Sequence, residues 1–216
     1  MVCGEQRTEI LPPATPTPTP EPSPSPVPLP SEEPKTNHPF SDVKTSAYFY
    51  DPVLWAFYHN PQIAIGTDST HFSPHAVCTR AQVVTFLWRA MGQQMPKSTA
   101  NSFTDVKTSD YYYAAVLWAA EQGITMGTAS DTFSPNTPCT RAHVITFLWR
   151  AEHKPEAATD NPFLDVAASQ YYSDAVKWAV NQSPRITEGT DALHFSPEEP
   201  CTRGQIVTFL YRDLAD

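Results

Sequence analysis

The chain has 216 residues, 23 of them proline and 7 glycine, and a formal net charge of −9. An acidic chain of this kind offers no broad basic surface for nucleic acid or acidic lipid, and no run of 18 apolar residues is present to span a membrane. Twelve of the prolines fall in the first 39 residues, so the chain divides into a proline-rich tail and a body of ordinary composition.

The tail, residues 1–39, reads PPATPTPTPEPSPSPVPLPSEEP from Pro12 to Pro34. Each proline removes a backbone donor and fixes φ, which predicts a disordered linker of polyproline II character. At ~3.1 Å per residue such a tail reaches about 120 Å when fully extended. Its length suits a stalk at a bacterial surface, or a spacer with no further role. Cys3 is a candidate lipid attachment point, although Val2 is not the small residue such a site usually follows.

The body is built from three repeats, over residues 40–96, 97–158 and 159–216. Phe40-Ser41-Asp42-Val43, Phe103-Thr104-Asp105-Val106 and Phe163-Leu164-Asp165-Val166 open them. Tyrosine-rich clusters follow, then Trp55, Trp118 and Trp178 at matching offsets. Gly-Thr recurs at Gly66, Gly127 and Gly189, and Phe-Ser-Pro at Phe72, Phe133 and Phe195. Cys-Thr-Arg recurs at Cys78, Cys139 and Cys201, and each copy closes on Arg89, Arg150 or Arg212.

Two helices per repeat are predicted, giving a mainly α fold. The first runs through Pro52 to Phe57, with Asp51 as N-cap and Pro52 at the first helical position; in the second copy Gly123 is a natural stop. The second helix starts after Thr79, where Thr79 and Gln82 match a capping box. Thr202 and Gln205 repeat the box, whereas Thr140 meets His143 and breaks it. A unit of about 60 residues buries little alone, so the copies should share a core, either closed as a pseudo-threefold assembly or stacked in a line.

Phe-x-Asp-Val, a tryptophan helix, Gly…Phe-x-Pro and Thr-Arg-Ala at a helix start resemble S-layer homology domains in tandem, from Phe40 to about Leu214. The resemblance implies a three-lobed helical bundle with ligand grooves between lobes. It also implies an extracellular place at the bacterial cell wall or S-layer. The partner it implies is a secondary cell-wall polysaccharide, often bearing a ketal-linked pyruvate. The family's Thr-Arg-Ala-Glu motif ends here in Gln82, His143 and Gln205, and Arg203 is followed by Gly204.

Arg80, Arg141 and Arg203 fall in the first helical turn, where the helix dipole disfavours a cation. An anion held by free backbone N–H groups and a guanidinium fork would justify that choice three times over. The alternative is pairing with Asp42, Asp105 and Asp165. The candidate site therefore comprises these arginines, Thr79, Thr140 and Thr202, the three aspartates, Trp55, Trp118 and Trp178, and Gly66, Gly127 and Gly189. The tryptophans suit either sugar stacking or core packing. The glycines suit turns with positive φ or a close approach of ligand to backbone. Cys78, Cys139 and Cys201 read as small buried hydrophobes, since three equivalent thiols cannot all pair with one another.

His71, His75 and Cys78 are spaced like metal ligands but have no counterpart trio in the other copies; the seven histidines are expected not to recur in register, and neither a metal nor a cofactor is expected. No nucleophile–histidine pair or glycine-rich phosphate loop suggests catalysis. The rival to glycan anchoring is a protein-interaction scaffold at the cell surface.

Overall fold

A computed structural model describes residues 38–215; Cys3 and nearly all of the proline-rich tail lie outside the described residues. Among the described residues there are six α-helices and no strand: α1 (Tyr50–Tyr58), α2 (Arg80–Ala90), α3 (Tyr113–Glu121), α4 (Arg141–Ala151), α5 (Ser173–Val180) and α6 (Arg203–Leu214). None of them is long and apolar enough to cross a membrane.

The second helices of the repeats, α2, α4 and α6, pack pairwise on one another and form the centre. Their i, i+4 apolar pairs make two layers between the helices. Val83, Val144 and Ile206 form one, and Leu87, Leu148 and Leu210 the other, all nearly solvent-free. The first helices do not pack on their own partners. Instead α3 packs on α2, α5 on α4, and α1 on α6. Each lobe therefore joins the second helix of one repeat to the first helix of the next, and α1 on α6 closes the circle. The fold is a closed pseudo-threefold bundle rather than a line of repeats.

Short backbone contacts reinforce that closure. Cys139 N donates to Cys78 O at 2.9 Å, Cys201 N to Cys139 O at 2.8 Å, and Cys78 N to Cys201 O at 3.0 Å. A triangle of extended chain thus lies where the three repeats meet, flanked by bridges of Thr79 with Pro138, Thr140 with Pro200, and Val77 with Thr202. All three thiols are free and fully buried. Burial pushes those of Cys78 and Cys139 up to about 12, so they pack as neutral, apolar groups.

Thr79 accepts Gln82 N and Gln82 accepts Thr79 N, completing a capping box; Thr202 and Gln205 do the same. Thr140 accepts His143 N without the reciprocal bond. Gly123 takes φ +68° just after α3, a left-handed stop that a side chain would resist. The first helix differs from expectation. It begins at Tyr50, with Phe49 at the cap and no side-chain cap bond, so Asp51 lies inside the first turn. Pro52 is then the third helical residue, still among positions whose N–H has no intrahelical acceptor. The ring of Phe49 is 5% exposed, and its burial fixes the entry of the helix.

One position of the bundle carries a misplaced charge. Asp213 on α6 stands where the other repeats have Ala90 and Ala151. Its Oδ2 is buried and finds no hydrogen-bond partner among the described residues. Burial, then the charge of Glu152, pushes its carboxyl up to about 7. A carboxyl whose folded value lies above its unfolded value costs stability as pH rises through that interval. Asp213→Ala should therefore raise Tm at pH 8 by a few degrees, roughly the response of a domain this size to ~1 kcal/mol, and leave it nearly unchanged at pH 4. Calorimetry at the two pH values checks this; an equal shift at both would point to packing rather than charge.

Candidate functional site

The three motif arginines are buried, with exposures of 2% for Arg80, 3% for Arg141 and 5% for Arg203. Each reaches across to the next repeat. Arg80 Nε donates to Phe133 O at 2.9 Å, Arg141 Nε to Phe195 O at 2.8 Å, and Arg203 Nε to Phe72 O at 2.8 Å. The guanidinium carbons also lie 4.7–4.9 Å from the centroids of those same phenylalanine rings. Phe147, Phe209 and Phe86 cover them at 5.3–5.6 Å.

The helix starts are not free, contrary to the sequence expectation. Arg80 N and Ala81 N donate to Thr137 O and Pro135 O, Arg141 N and Ala142 N to Glu199 O and Pro197 O, and Arg203 N and Gly204 N to Ala76 O and Pro74 O. The turn after each Phe-Ser-Pro thereby caps the preceding repeat's helix, with the threonine hydroxyl taking the third N–H. An incoming anion finds no open helix N-terminus there.

Direct pairing of arginine with aspartate is not seen either. Asp42 accepts Phe72 N and Ser73 N at 2.9 and 2.8 Å, Asp105 accepts Phe133 N and Ser134 N at 2.9 and 2.7 Å, and Asp165 accepts Phe195 N and Ser196 N at 2.9 and 2.8 Å. Each carboxylate pins the turn whose carbonyl receives the arginine. The pinned serines sit at φ 56–59°, a left-handed conformation that needs such support.

Beside Arg80 and beside Arg141 runs a groove between lobes. One, about 400 Å³, is lined by Arg80 of the first repeat, Thr125 to Thr128, His143, Thr146, Phe147 and Arg150 of the second, and Tyr171 of the third. Another, about 360 Å³, repeats this one lobe on, with Arg141, Thr187 to Thr190, Gln205, Thr208, Phe209, Arg212 and Tyr48. The third set of equivalents, around Arg203, includes Ile65, Gly66, Phe86 and Arg89. Such volumes suit a monosaccharide or a little more.

Two cations face the first groove, Arg80 and Arg150, and no acidic side chain lines it. Arg150 Nη1 donates to Ile124 O at 2.9 Å, which fixes its direction. In the second groove Glu188 lies 3.9 Å from Arg212. Desolvation presses all of these motif arginines and Arg150 toward lower values, yet a guanidinium stays charged at neutral pH. Arg141 Nη2 is buried at the groove wall with no partner among the described residues, and so is Thr146 Oγ1 in the first groove. Buried polar atoms left this way are costly unless something arrives to satisfy them.

Of the residues singled out from sequence, Arg80, Arg141, Gly127 and Gly189 line these two grooves. Thr79, Thr140 and Thr202 serve as caps and Asp42, Asp105 and Asp165 as pins. Trp118 and Trp178 are buried in the core at 4% exposure, and Trp55 packs edge-on against Tyr211. Arg150, Arg212, Tyr48 and Tyr171 also line the grooves, although the sequence marked them only as recurring positions. The signal available was their strict recurrence with polar heads; Tyr48, Tyr111 and Tyr171 remain 53–63% exposed. Histidines do recur in register, also contrary to expectation: His71 and His194 each pair with the aspartate three residues before, Asp68 and Asp191. Among the described residues no trio of His, Cys, Asp or Glu is placed to hold a metal ion.

His143 occupies the position of Gln82 and Gln205 and faces both Arg80 and Arg150. Burial, then these two charges, lowers its imidazole to about 4. The folded ring thus binds fewer protons than the unfolded one between about 6.5 and 4, and the fold loses stability as pH falls through that window. An NMR titration should place the His143 midpoint near 4; a midpoint at 6.5 or above would mean that the ring is hydrated and the groove open around it.

The sequence model for the S-layer homology domain matches residues 39–84, 102–145 and 162–207, one stretch in each repeat. An endoglucanase of Bacillus sp. (strain KSM-635) is 31% identical over 182 residues, covering 81% of this chain and 19% of that protein. A cell surface protein of Thermoanaerobacter kivui is 30% identical over 117 residues, 52% of this chain and 15% of its own. The surface-layer 125 kDa protein of Lysinibacillus sphaericus is 32% identical over 117 residues, 54% of this chain and 10% of its own. The chain spans a fifth or less of the length of each of these relatives. Three family matches in register with three lobes, and covering more than half the chain, leave one assignment: the chain belongs to the S-layer homology domain family.

Proposed function

We propose that this chain is a wall-anchoring module that binds an anionic secondary cell-wall polysaccharide, such as one carrying ketal-linked pyruvate, in its inter-lobe grooves. Family membership places it at the bacterial cell surface, and its relatives include proteins named as surface-layer and cell surface proteins. The endoglucanase aligns over only a fifth of its length, so its activity gives no reason to assign catalysis here.

The observation that carries the glycan reading is the pairing of Arg80 with Arg150 in a groove without a carboxylate of its own. Arg80 is held by one carbonyl at Nε and only a long 3.5 Å bond from Nη2 to Thr125 Oγ1, which leaves N–H capacity for a planar anion. The mechanism is carboxylate capture between the two guanidinium groups. Thr146 and Tyr171 supply hydroxyls, and the rings of His143 and Tyr171, 6.0 Å apart, offer a face for the sugar. The Tyr171 hydroxyl, pushed up to about 12 chiefly by burial, stays protonated as a donor.

Gly127 fits the same picture. It takes φ +83°, and a Cβ there would meet Thr132 O at 2.5 Å and Phe103 Cε1 at 2.7 Å. The turn at the groove edge therefore packs so closely on its own chain that only glycine fits there.

Cosedimentation with purified cell wall tests the reading. The chain should pellet with native wall and lose binding when the secondary polymer is stripped; equal binding to stripped wall would sink it. Arg150→Gln should weaken binding in its groove by roughly tenfold or more, the scale of one charge-assisted hydrogen bond, while melting close to the parent chain. Arg212→Gln should weaken overall binding only in part, because the Arg80–Arg150 groove remains.

A further inference from the structure

The surroundings of the three motif arginines share a plan, but at Arg203 a backbone carbonyl takes a guanidinium nitrogen that the other two do not give to a carbonyl. In the second and third repeats a threonine stands two residues before the groove glycine. Thr125 Oγ1 accepts Gly127 N at 3.2 Å, and Thr187 Oγ1 accepts Gly189 N at 3.3 Å. Both glycines lie at positive φ, +83° and +82°. The hydroxyl holds the peptide N–H inward, which only a left-handed glycine permits.

The first repeat has Ala64 at this position, fully buried. No hydroxyl is there to hold the Gly66 amide, and Gly66 is not at positive φ. In this altered turn the carbonyl of Ile65 accepts Arg203 Nη2 at 2.7 Å. The corresponding guanidinium nitrogens are not taken by a carbonyl. Arg80 Nη2 meets only Thr125 Oγ1, at 3.5 Å, and Arg141 Nη2 has no partner among the described residues.

We infer that Ala64 disables the Arg203 groove as an anion site, by letting the Ile65 carbonyl occupy the guanidinium face that a carboxylate would take. The inference rests on the reading that the grooves bind a carboxylate-bearing glycan. With Nε on Phe72 O and Nη2 on Ile65 O, the Nε–Nη2 edge of Arg203 is fully used by backbone. The same carbonyl points its negative end at the place of the incoming anion. A carboxylate would have to displace a charge-assisted bond and turn a peptide with no side-chain hydroxyl to receive it. The chain then has at most two working grooves from three related repeats, and residue 64 sets the number.

The full chain, ¹⁵N-labelled, is titrated with a hexopyranoside bearing a ketal-linked pyruvate. The Gly127 amide should shift while Gly66 stays still. In Ala64→Thr the Gly66 amide should shift too, and calorimetry should count one more site per chain. The converse change, Thr125→Ala, should weaken the Gly127 response at least tenfold, with Thr125→Ser retaining it. Gly66 responding in the parent chain at the same concentrations as Gly127 would overturn the inference while leaving the groove reading intact. No response from any groove glycine would remove the groove reading, and this inference with it. A crystal structure of unliganded Ala64→Thr decides the cause separately: Gly66 should move to positive φ and release Arg203 Nη2, and an Ile65 carbonyl still on Arg203 would overturn the role of Ala64.

Discussion

Three buried guanidinium-to-carbonyl bonds hold this molecule in a ring. Each motif arginine leaves its own helix and binds the phenylalanine carbonyl of the next repeat, and the last one returns to the first. The carbonyl is presented by a turn that would not persist alone, since its serine is left-handed and is followed by proline. An aspartate of the receiving repeat pins that turn through two backbone N–H groups. The same turn then caps the arginine's helix. One polar chain, aspartate to turn to arginine, therefore settles local backbone, helix start and inter-lobe contact together. Removing one member leaves another buried and unsatisfied, which typically costs about 3–5 kcal/mol when a charge is stranded.

Much of this was legible in the residues. Recurrence in register gave the repeat number, and threonine followed by glutamine gave the helix starts at Thr79 and Thr202. The burial of Cys78, Cys139 and Cys201 followed from their size and position. The meaning of Arg80, Arg141 and Arg203 was only half legible. A first-turn cation signals an unusual partner, but a backbone carbonyl some 50 residues ahead leaves no mark in the sequence. For the same reason the capping of α2, α4 and α6 by a neighbouring repeat could not be foreseen. The recurrence of Arg150 and Arg212 did not reveal their place in a groove, because a groove wall is defined by what packs opposite. Asp51 looked like a cap, but the burial of Phe49 overrode that local preference and began the helix earlier.

The frame and the groove linings obey different rules. Frame residues, such as Phe72, Phe133 and Phe195 or the three aspartates, are the same in every copy. Most groove positions are shared as well, but two of them vary. Ile65, Met126 and Glu188 occupy one shared position, and Gln82, His143 and Gln205 another. A hydrophobe, a thioether and a carboxylate on one site give three different fields around one guanidinium. Repetition thus fixes the architecture and leaves recognition free to diverge groove by groove.

The circular exchange of helices has a consequence for how the chain is made. Residues leave the ribosome in order, and the helix that covers α1 is α6, the last to appear. The bonds from Arg203 to Phe72 and Ile65 span 131 and 138 residues. Until Arg203 emerges, the apolar face of α1 has no native cover, and neither α2 nor α4 has its full set of neighbours. Closure of such distant pairs is slow and leaves apolar surface open meanwhile. The core and the ring therefore both wait for α6, and a chain stopped short of it has neither finished.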